Sequence, residues 1–180
     1  MKKIFFLGCL LAMFITTSSC KREEDSTDVQ TPRTEVPDEI VGAWEHGFID
    51  FELWENYPQG KWAGRNAIPS REAMVFQKNG EARFYRYEFA FNMYEELIDC
   101  RGTVTFNNDG TFTFYPREGR KRFFDKQHAF NNKDRALTSA ELSDPKIAGK
   151  RGYTYDGTTT PPSMRINVPG SAAYNWYKKS

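Results

Sequence analysis

Apolar and polar residues alternate with a period of two along most of the chain from Val41 onward, and Gly, Pro, Asn and Asp separate the alternating runs. This pattern is typical of antiparallel β-strands, because successive side chains of a strand point to opposite faces of its sheet. It predicts about eight strands with turns between them. These strands cover residues 42–51, 72–78, 81–91, 100–107, 111–115, 151–156, 164–168 and 172–178, and residues 120–125 can pair again.

Two turn motifs join neighbouring strands. Asn79-Gly80 lies between two apolar-patterned runs, and both residues suit the positive φ that a tight hairpin turn requires. Asn108-Asp109-Gly110 turns the chain again, and Pro116 is expected to limit the strand that follows because it cannot donate to a ladder. Eight antiparallel strands in succession favour an all-β, up-and-down barrel, with a β-sandwich as the alternative.

Alternation divides the third strand into two faces. Tyr85, Tyr87 and Phe89 fall on one face, and Phe84 and Arg86 fall on the other. We expect the tyrosine-bearing face to meet the core.

Two segments break the alternation. Residues 92–99 predict a short turn or helix. Residues 126–149 predict a loop with one or two helical turns, because Thr138-Ser139-Ala140-Glu141 fits a capping box and Asp144-Pro145 would end the helix.

The N-terminus has the parts of a secretory signal peptide over residues 1–19. Lys2 and Lys3 precede an apolar run, and small residues follow it. The run is shorter than the roughly 20 residues needed to span a bilayer. Thr17-Ser18-Ser19-Cys20 resembles the lipobox of bacterial lipoproteins, although that pattern prefers Leu where this chain has Thr17. The resemblance implies cleavage before Cys20 and its lipidation with several acyl chains, which stable anchoring requires. The alternative is an ordinary secreted protein.

Residues 20–38 are predicted to form a lipidated start and a flexible tether, because they contain almost nothing to bury. Glu23-Glu24-Asp25 resembles the acidic signal that sends some Gram-negative lipoproteins to the cell surface, and a merely solvated tether is the alternative. We expect an outer-membrane protein held by its lipid, with a single folded domain over residues 39–180.

Charge and cysteine content exclude some classes of function. The 25 Lys and Arg residues fall to 23 when Lys2 and Lys3 leave with the signal, against 24 Asp and Glu, so no basic excess favours nucleic acid. Of the three cysteines, only Cys100 would remain as a thiol, and we expect it to be buried.

No motif supports catalysis, a cofactor or a metal. The two histidines, His46 and His128, lie far apart, and no nucleophile elbow or phosphate loop is present. We therefore expect a non-enzymatic protein, and a monomer.

Gly42-Ala43-Trp44 carries a Gly-x-Trp pattern at the start of the first strand. The pattern, with the two hairpins and the closing Trp176-Tyr177-Lys178-Lys179, resembles the lipocalin-like domains of Gram-negative lipoproteins. The resemblance implies a barrel whose closed end is crossed by Trp44, with Gly42 as a structural partner.

The sequence leaves two functions open. The first is the binding of a small apolar or amphipathic ligand inside the barrel. The second is a surface protein with a filled barrel that binds a glycan or another protein through aromatic residues near its mouth. An arginine in the lumen, such as Arg86, would suit an anionic head group. The candidate ligand-binding residues are Trp54, Tyr57, Trp62, Tyr85, Tyr87 and Phe89. The expected walls are Met74, Phe76, Val104, Phe106, Phe112 and Phe114.

Overall fold

Nine β-strands form one sheet in the computed structural model, which describes residues 31–47, 70–90, 93–167 and 172–179. The strands are β1 Gly42–His46, β2 Ser70–Phe76, β3 Glu81–Ala90, β4 Tyr94–Asn107, β5 Thr111–Asp125, β6 Lys133–Ala136, β7 Gly149–Asp156, β8 Ser163–Asn167 and β9 Tyr174–Lys178.

The sheet closes into an antiparallel barrel. Each strand from β1 to β5 pairs with the next, β5 pairs with β7, and β9 returns to β1, so eight strands complete the barrel. The ninth strand, β6, pairs with residues 120–123 of β5. The prediction of an up-and-down barrel is confirmed, and the sandwich alternative is wrong.

Strands β4 and β5 are longer than the sequence predicts. The predicted turn or helix over 92–99 is wrong for residues 94–99, which form the first half of β4. Strand β5 continues past Pro116, because a β-bulge leaves Arg117 outside the ladder: Gly102 lies opposite Pro116, and Arg101 lies opposite Glu118. The bulge lets a proline interrupt the pairing without ending the strand.

The segment after β5 contains the predicted helix and one unpredicted strand. Helix α1, Ser139–Leu142, begins at Thr138, and Thr138 and Glu141 complete the expected capping box. Strand β6 could not be predicted, because its four residues are exposed and its sequence has no alternating apolar positions. None of the helices in the described ranges is long and apolar enough to cross a membrane.

One end of the barrel is closed by packed side chains. Val36 and Ile40, from the segment before β1, join the main core, and buried Trp44 donates from its indole Nε1 to the Ile40 carbonyl oxygen at 2.7 Å. The rings of Phe76 and Phe112 pack edge to face, with their centroids 5.6 Å apart. The expected wall residues belong to this core or pack against it, so the closed end is filled by the protein's own side chains.

Candidate functional site

The registers of β1 to β5 place interior side chains in rows across the barrel wall, because residues directly opposite on paired strands share a face. The row through Trp44 is apolar. Its members are Trp44, Met74, Phe84 and Cys100. The next row, two residues farther from the closed end, is mostly charged. Its members are His46, Glu72, Arg86, Ile98 and Lys121.

A third row continues the charged character towards the barrel rim, with Glu88 paired to Glu96 and Glu96 paired to Phe123. We call the charged and imidazole side chains of these two rows the polar layer. It consists of His46, Glu72, Arg86, Glu88, Glu96 and Lys121. The barrel interior therefore changes from an apolar core to a polar layer within one row.

Ion pairs hold the polar layer together. The Arg86 Nε lies 3.3 Å from Glu88 Oε1, and its Nη2 lies 3.8 Å from Glu96 Oε1. Lys121 Nζ lies 2.5 Å from Glu96 Oε2. The Arg86 side chain is only 8% exposed, so these pairs lie in a medium that weakens charge interactions less than water does.

Arg151 of β7 extends the polar layer into the barrel. Its Nη2 donates to the carbonyl oxygens of Ile147 at 2.8 Å and Lys146 at 3.1 Å, which precede β7. Its guanidinium carbon lies 5.2 Å from the centre of the Phe84 ring. The residue is 2% exposed, and its burial lowers the pKa of the guanidinium. An arginine nevertheless keeps its charge at neutral pH.

Glu72 is an acidic group that interacts electrostatically with both arginines. Burial raises the pKa of its carboxyl, although the charges of Arg151, Arg86 and His46 act in the opposite direction. Desolvation therefore outweighs the attraction of the cations, and the site holds its negative charge less readily than an exposed glutamate would.

Some donors of the two buried arginines have no acceptor among the described residues. They are Nη1 of Arg86 and Nε of Arg151, whereas Nε of Arg86 faces Glu88 Oε1 at 3.3 Å without forming a hydrogen bond to it. A buried donor without a partner costs about 1–3 kcal/mol, so native proteins rarely retain one without a reason. A group with free lone pairs would satisfy these donors.

The three predicted residues of β3 do not line the barrel interior. Tyr85 and Tyr87 belong to a second cluster with Ala73, Leu97 and Phe124, and Phe89 packs against it. This cluster lies on the face of the sheet opposite Phe84 and Arg86. The tyrosine-bearing face is therefore buried, as expected, but in a cluster separate from the main core. Both faces of β3 carry apolar residues, so alternation alone does not show which of them faces the barrel interior.

The tyrosine cluster carries cations over its rings. The guanidinium carbon of Arg83 lies 4.8 Å from the centre of the Tyr85 ring, and that of Arg71 lies 5.9 Å from the centre of Tyr87. Both tyrosines are 3% exposed. Their ring faces are therefore closed to stacking by a sugar or another ligand.

The other predicted site residues divide into two groups. Trp54, Tyr57, Trp62 and Cys20 lie outside the described residues. Gly42 and Trp44 are described: Gly42 has a φ of +122°, and Trp44 is fully buried at the closed end, with the Lys178 ammonium 5.6 Å from the centre of its ring. Both positions fit a structural role.

A groove of about 320 Å³ on the outer surface is the alternative to the polar layer as a ligand-binding site. Its basic side chains include Arg83 and Arg120. Arg83 already forms two hydrogen bonds to Asp99, of 2.8 and 2.5 Å, and Arg120 forms two to Asp134, of 2.6 and 2.7 Å. These paired guanidiniums have less to offer an anion than those inside the barrel.

Redox and metal chemistry find little support in the described residues. Burial raises the pKa of the Cys100 thiol to about 12, so it remains protonated and a poor nucleophile at neutral pH. The described ranges contain no cluster of three or more His, Cys, Asp or Glu side chains that could hold a metal ion.

No family model, no curated protein and no solved structure matches the chain. Its own geometry is therefore the basis for assigning a function. Within that geometry, the polar layer and Arg151 together combine buried charge, donors without acceptors and a position at one end of a closed barrel.

Proposed function

We propose that this chain is a lipid-anchored envelope protein whose barrel binds a small amphipathic ligand at the end opposite the packed core. The observation that carries the proposal is the polar layer next to the apolar row, in which Arg86 is buried and the other members are partly buried. Charged groups are costly to bury, and they cluster where a protein recognises a polar ligand or performs chemistry. The anchor is inferred from the signal peptide and Cys20 in the sequence.

The surroundings of the polar layer suit a ligand with both polar and apolar parts. Ile98 lies in the same row as Arg86, and Phe123 lies in the row above, with its ring stacked on Tyr94 at 5.3 Å. Tyr174, which is 44% exposed, packs its ring against His46 at 4.6 Å. A ligand at this end would meet charges below and partly exposed aromatic rings at the rim.

Native mass spectrometry of the full-length protein, purified from the envelope in mild detergent, tests this function. We expect a small molecule bound at one per chain and released by organic solvent. We also expect the protein to take up an amphipathic fluorescent probe, anilinonaphthalene sulfonate, and heat-unfolded protein serves as the control. Repeated recovery without a bound molecule, together with no probe uptake, would contradict the proposal.

A surface-interaction protein with a filled barrel is the second candidate, and the packed rings of the closed end favour it. That function would depend on Trp54, Tyr57 and Trp62. Alanine at these three positions should then abolish binding on a glycan array while leaving the melting temperature nearly unchanged. A large loss of stability would instead assign the three side chains to the folded core.

A further inference from the structure

We propose that Arg86 and Arg151 form an internal anion site that binds the single carboxylate of an amphipathic ligand. This inference rests on the proposed function and specifies the ligand's head group. Both guanidiniums lie inside the barrel, and both are more than nine-tenths buried.

The first argument is the supply of hydrogen-bond donors. Arg86 Nη1 and Arg151 Nε have no acceptor among the residues that the structure describes. A carboxylate has two oxygens with about four lone-pair sites, so its two oxygens can accept from two different guanidiniums. One carboxylate therefore has the lone pairs to accept from both Nη1 of Arg86 and Nε of Arg151.

The second argument is that both arginines are held in place by the protein. The Arg151 Nη2 is fixed by the carbonyl oxygens of Ile147 and Lys146, and its Nη1 lies 3.4 Å from the Met74 sulfur. Arg86 is flanked by Glu88 and Glu96. Side chains that are already ordered lose little conformational freedom on binding, so the site is preorganised for an anion.

The third argument concerns the charge of the ligand. Arg86, Arg151 and Lys121 bring three positive charges, and Glu72, Glu88 and Glu96 bring three negative charges when they are ionised. One added negative charge can be accommodated, because Glu72 is already inclined to take up a proton. A doubly charged phosphate monoester would bring a second negative charge close to Glu88 and Glu96, so the balance favours a carboxylate.

A titration with matched probes tests this site in the full-length protein held in lipid nanodiscs, with empty nanodiscs as the blank. Octanoate, octanol and octyl phosphate share one alkyl chain and differ in their head group. We expect octanoate to bind at least 10-fold more tightly than octanol and more tightly than octyl phosphate. Arg86→Met should remove the advantage of octanoate over octanol, and Arg86→Lys should keep part of it.

Arg101→Met is the matched control, because its side chain is 58% exposed on the outer surface near Glu118. It should leave all three affinities unchanged. Circular dichroism establishes that each variant folds. If Arg86→Met does not fold, the affinities of Arg86→Lys and the ratio of octanoate to octanol in the unmodified protein decide the question.

The outcomes separate this inference from the proposed function. Equal binding of octanoate and octanol, unaffected at position 86, would overturn the anion site and leave a ligand-binding barrel. Tighter binding of octyl phosphate would overturn the assignment of a carboxylate. Failure of all three probes to bind would contradict the anion site, and an empty barrel in native mass spectrometry would contradict the proposed function as well.

Discussion

Replacing Gly102 with alanine places a methyl group at the point where β4 and β5 change register. A Cβ at this position would lie 2.1 Å from the carbonyl oxygen of Tyr115 and 2.7 Å from the Cα of Pro116. Both atoms belong to the backbone, so no side-chain rotation can relieve the contact. The bulge at Arg117 would have to move.

The size of the effect follows from this contact. Overpacking costs about 1–3 kcal/mol, and the upper part of that range applies because the backbone must shift. Alanine also restricts the unfolded chain, which returns about 0.4–1 kcal/mol. The net loss expected for Gly102→Ala is about 1–2.5 kcal/mol. For a chain of this size, that loss lowers the melting temperature by about 2–10 °C.

Gly152 of β7 provides the matched control. It also lies in a strand and outside the left-handed φ region, but a Cβ there would lie 3.7 Å from the Asn167 Cβ, an ordinary contact. Gly152→Ala should be neutral or slightly stabilising. Urea unfolding followed by tryptophan fluorescence measures both variants, because Trp44 and Trp176 are buried. Free energies of unfolding within about 0.5 kcal/mol of each other would refute the described register, since that difference is within the usual scatter of surface substitutions.

Three further predictions concern single positions. Burial raises the pKa of Glu72 above 4.5, so ionisation of this carboxyl lowers the stability as the pH rises through its folded-state pKa. Glu72→Gln should therefore raise the melting temperature at about pH 7 and leave it unchanged at about pH 3.5. Glu118→Gln, on the outer surface, should not raise the melting temperature at either pH. Thr138→Ala removes the N-cap of α1 and should lower the free energy of unfolding by about 1 kcal/mol, whereas Ser139→Ala should change it far less in the same urea titration. Cys20→Ser should move the protein from the membrane fraction to the aqueous fraction on detergent phase separation, and unchanged partitioning would contradict the predicted anchor.

The strand order could be predicted because its signals are local. The Asn79-Gly80 signal locates one hairpin, and in the structure Gly80, with a φ of +83°, ends a turn in which its N–H donates to the Gln77 carbonyl oxygen at 3.0 Å. Thr138 and Glu141 predict the start of α1 through the capping box that they form. Each of these signals acts within four residues and does not depend on the rest of the fold.

The faces of β3 could not be predicted, because both carry residues that bury well. Phe84 and Arg86 alternate with Tyr85 and Tyr87, and an arginine normally indicates the solvent side. The pairing of β3 with β2 and β4 and the closure of the barrel decide which face is interior. Arg86 was recognisable as a lumen candidate only through its position opposite the tyrosines.

The site itself depends on contacts between distant parts of the chain. Glu72 and Arg86 come from neighbouring strands, whereas Arg151 lies 65 residues beyond Arg86 in the sequence and approaches them only after β7 pairs with β5. Its burial and the lack of acceptors for its Nε are properties of the closed barrel. No sequence spacing indicates them.

Photo-crosslinking with an octanoate that carries a diazirine on its alkyl chain locates the ligand most directly. The probe is activated on the full-length protein, and peptide mapping identifies the labelled residues. A ligand inside the barrel should label interior positions beside the polar layer, such as Glu72 and Ile98, and unlabelled octanoate should suppress this labelling. Labelling confined to the outer groove or the tyrosine cluster, or labelling that octanoate does not suppress, would contradict binding within the barrel.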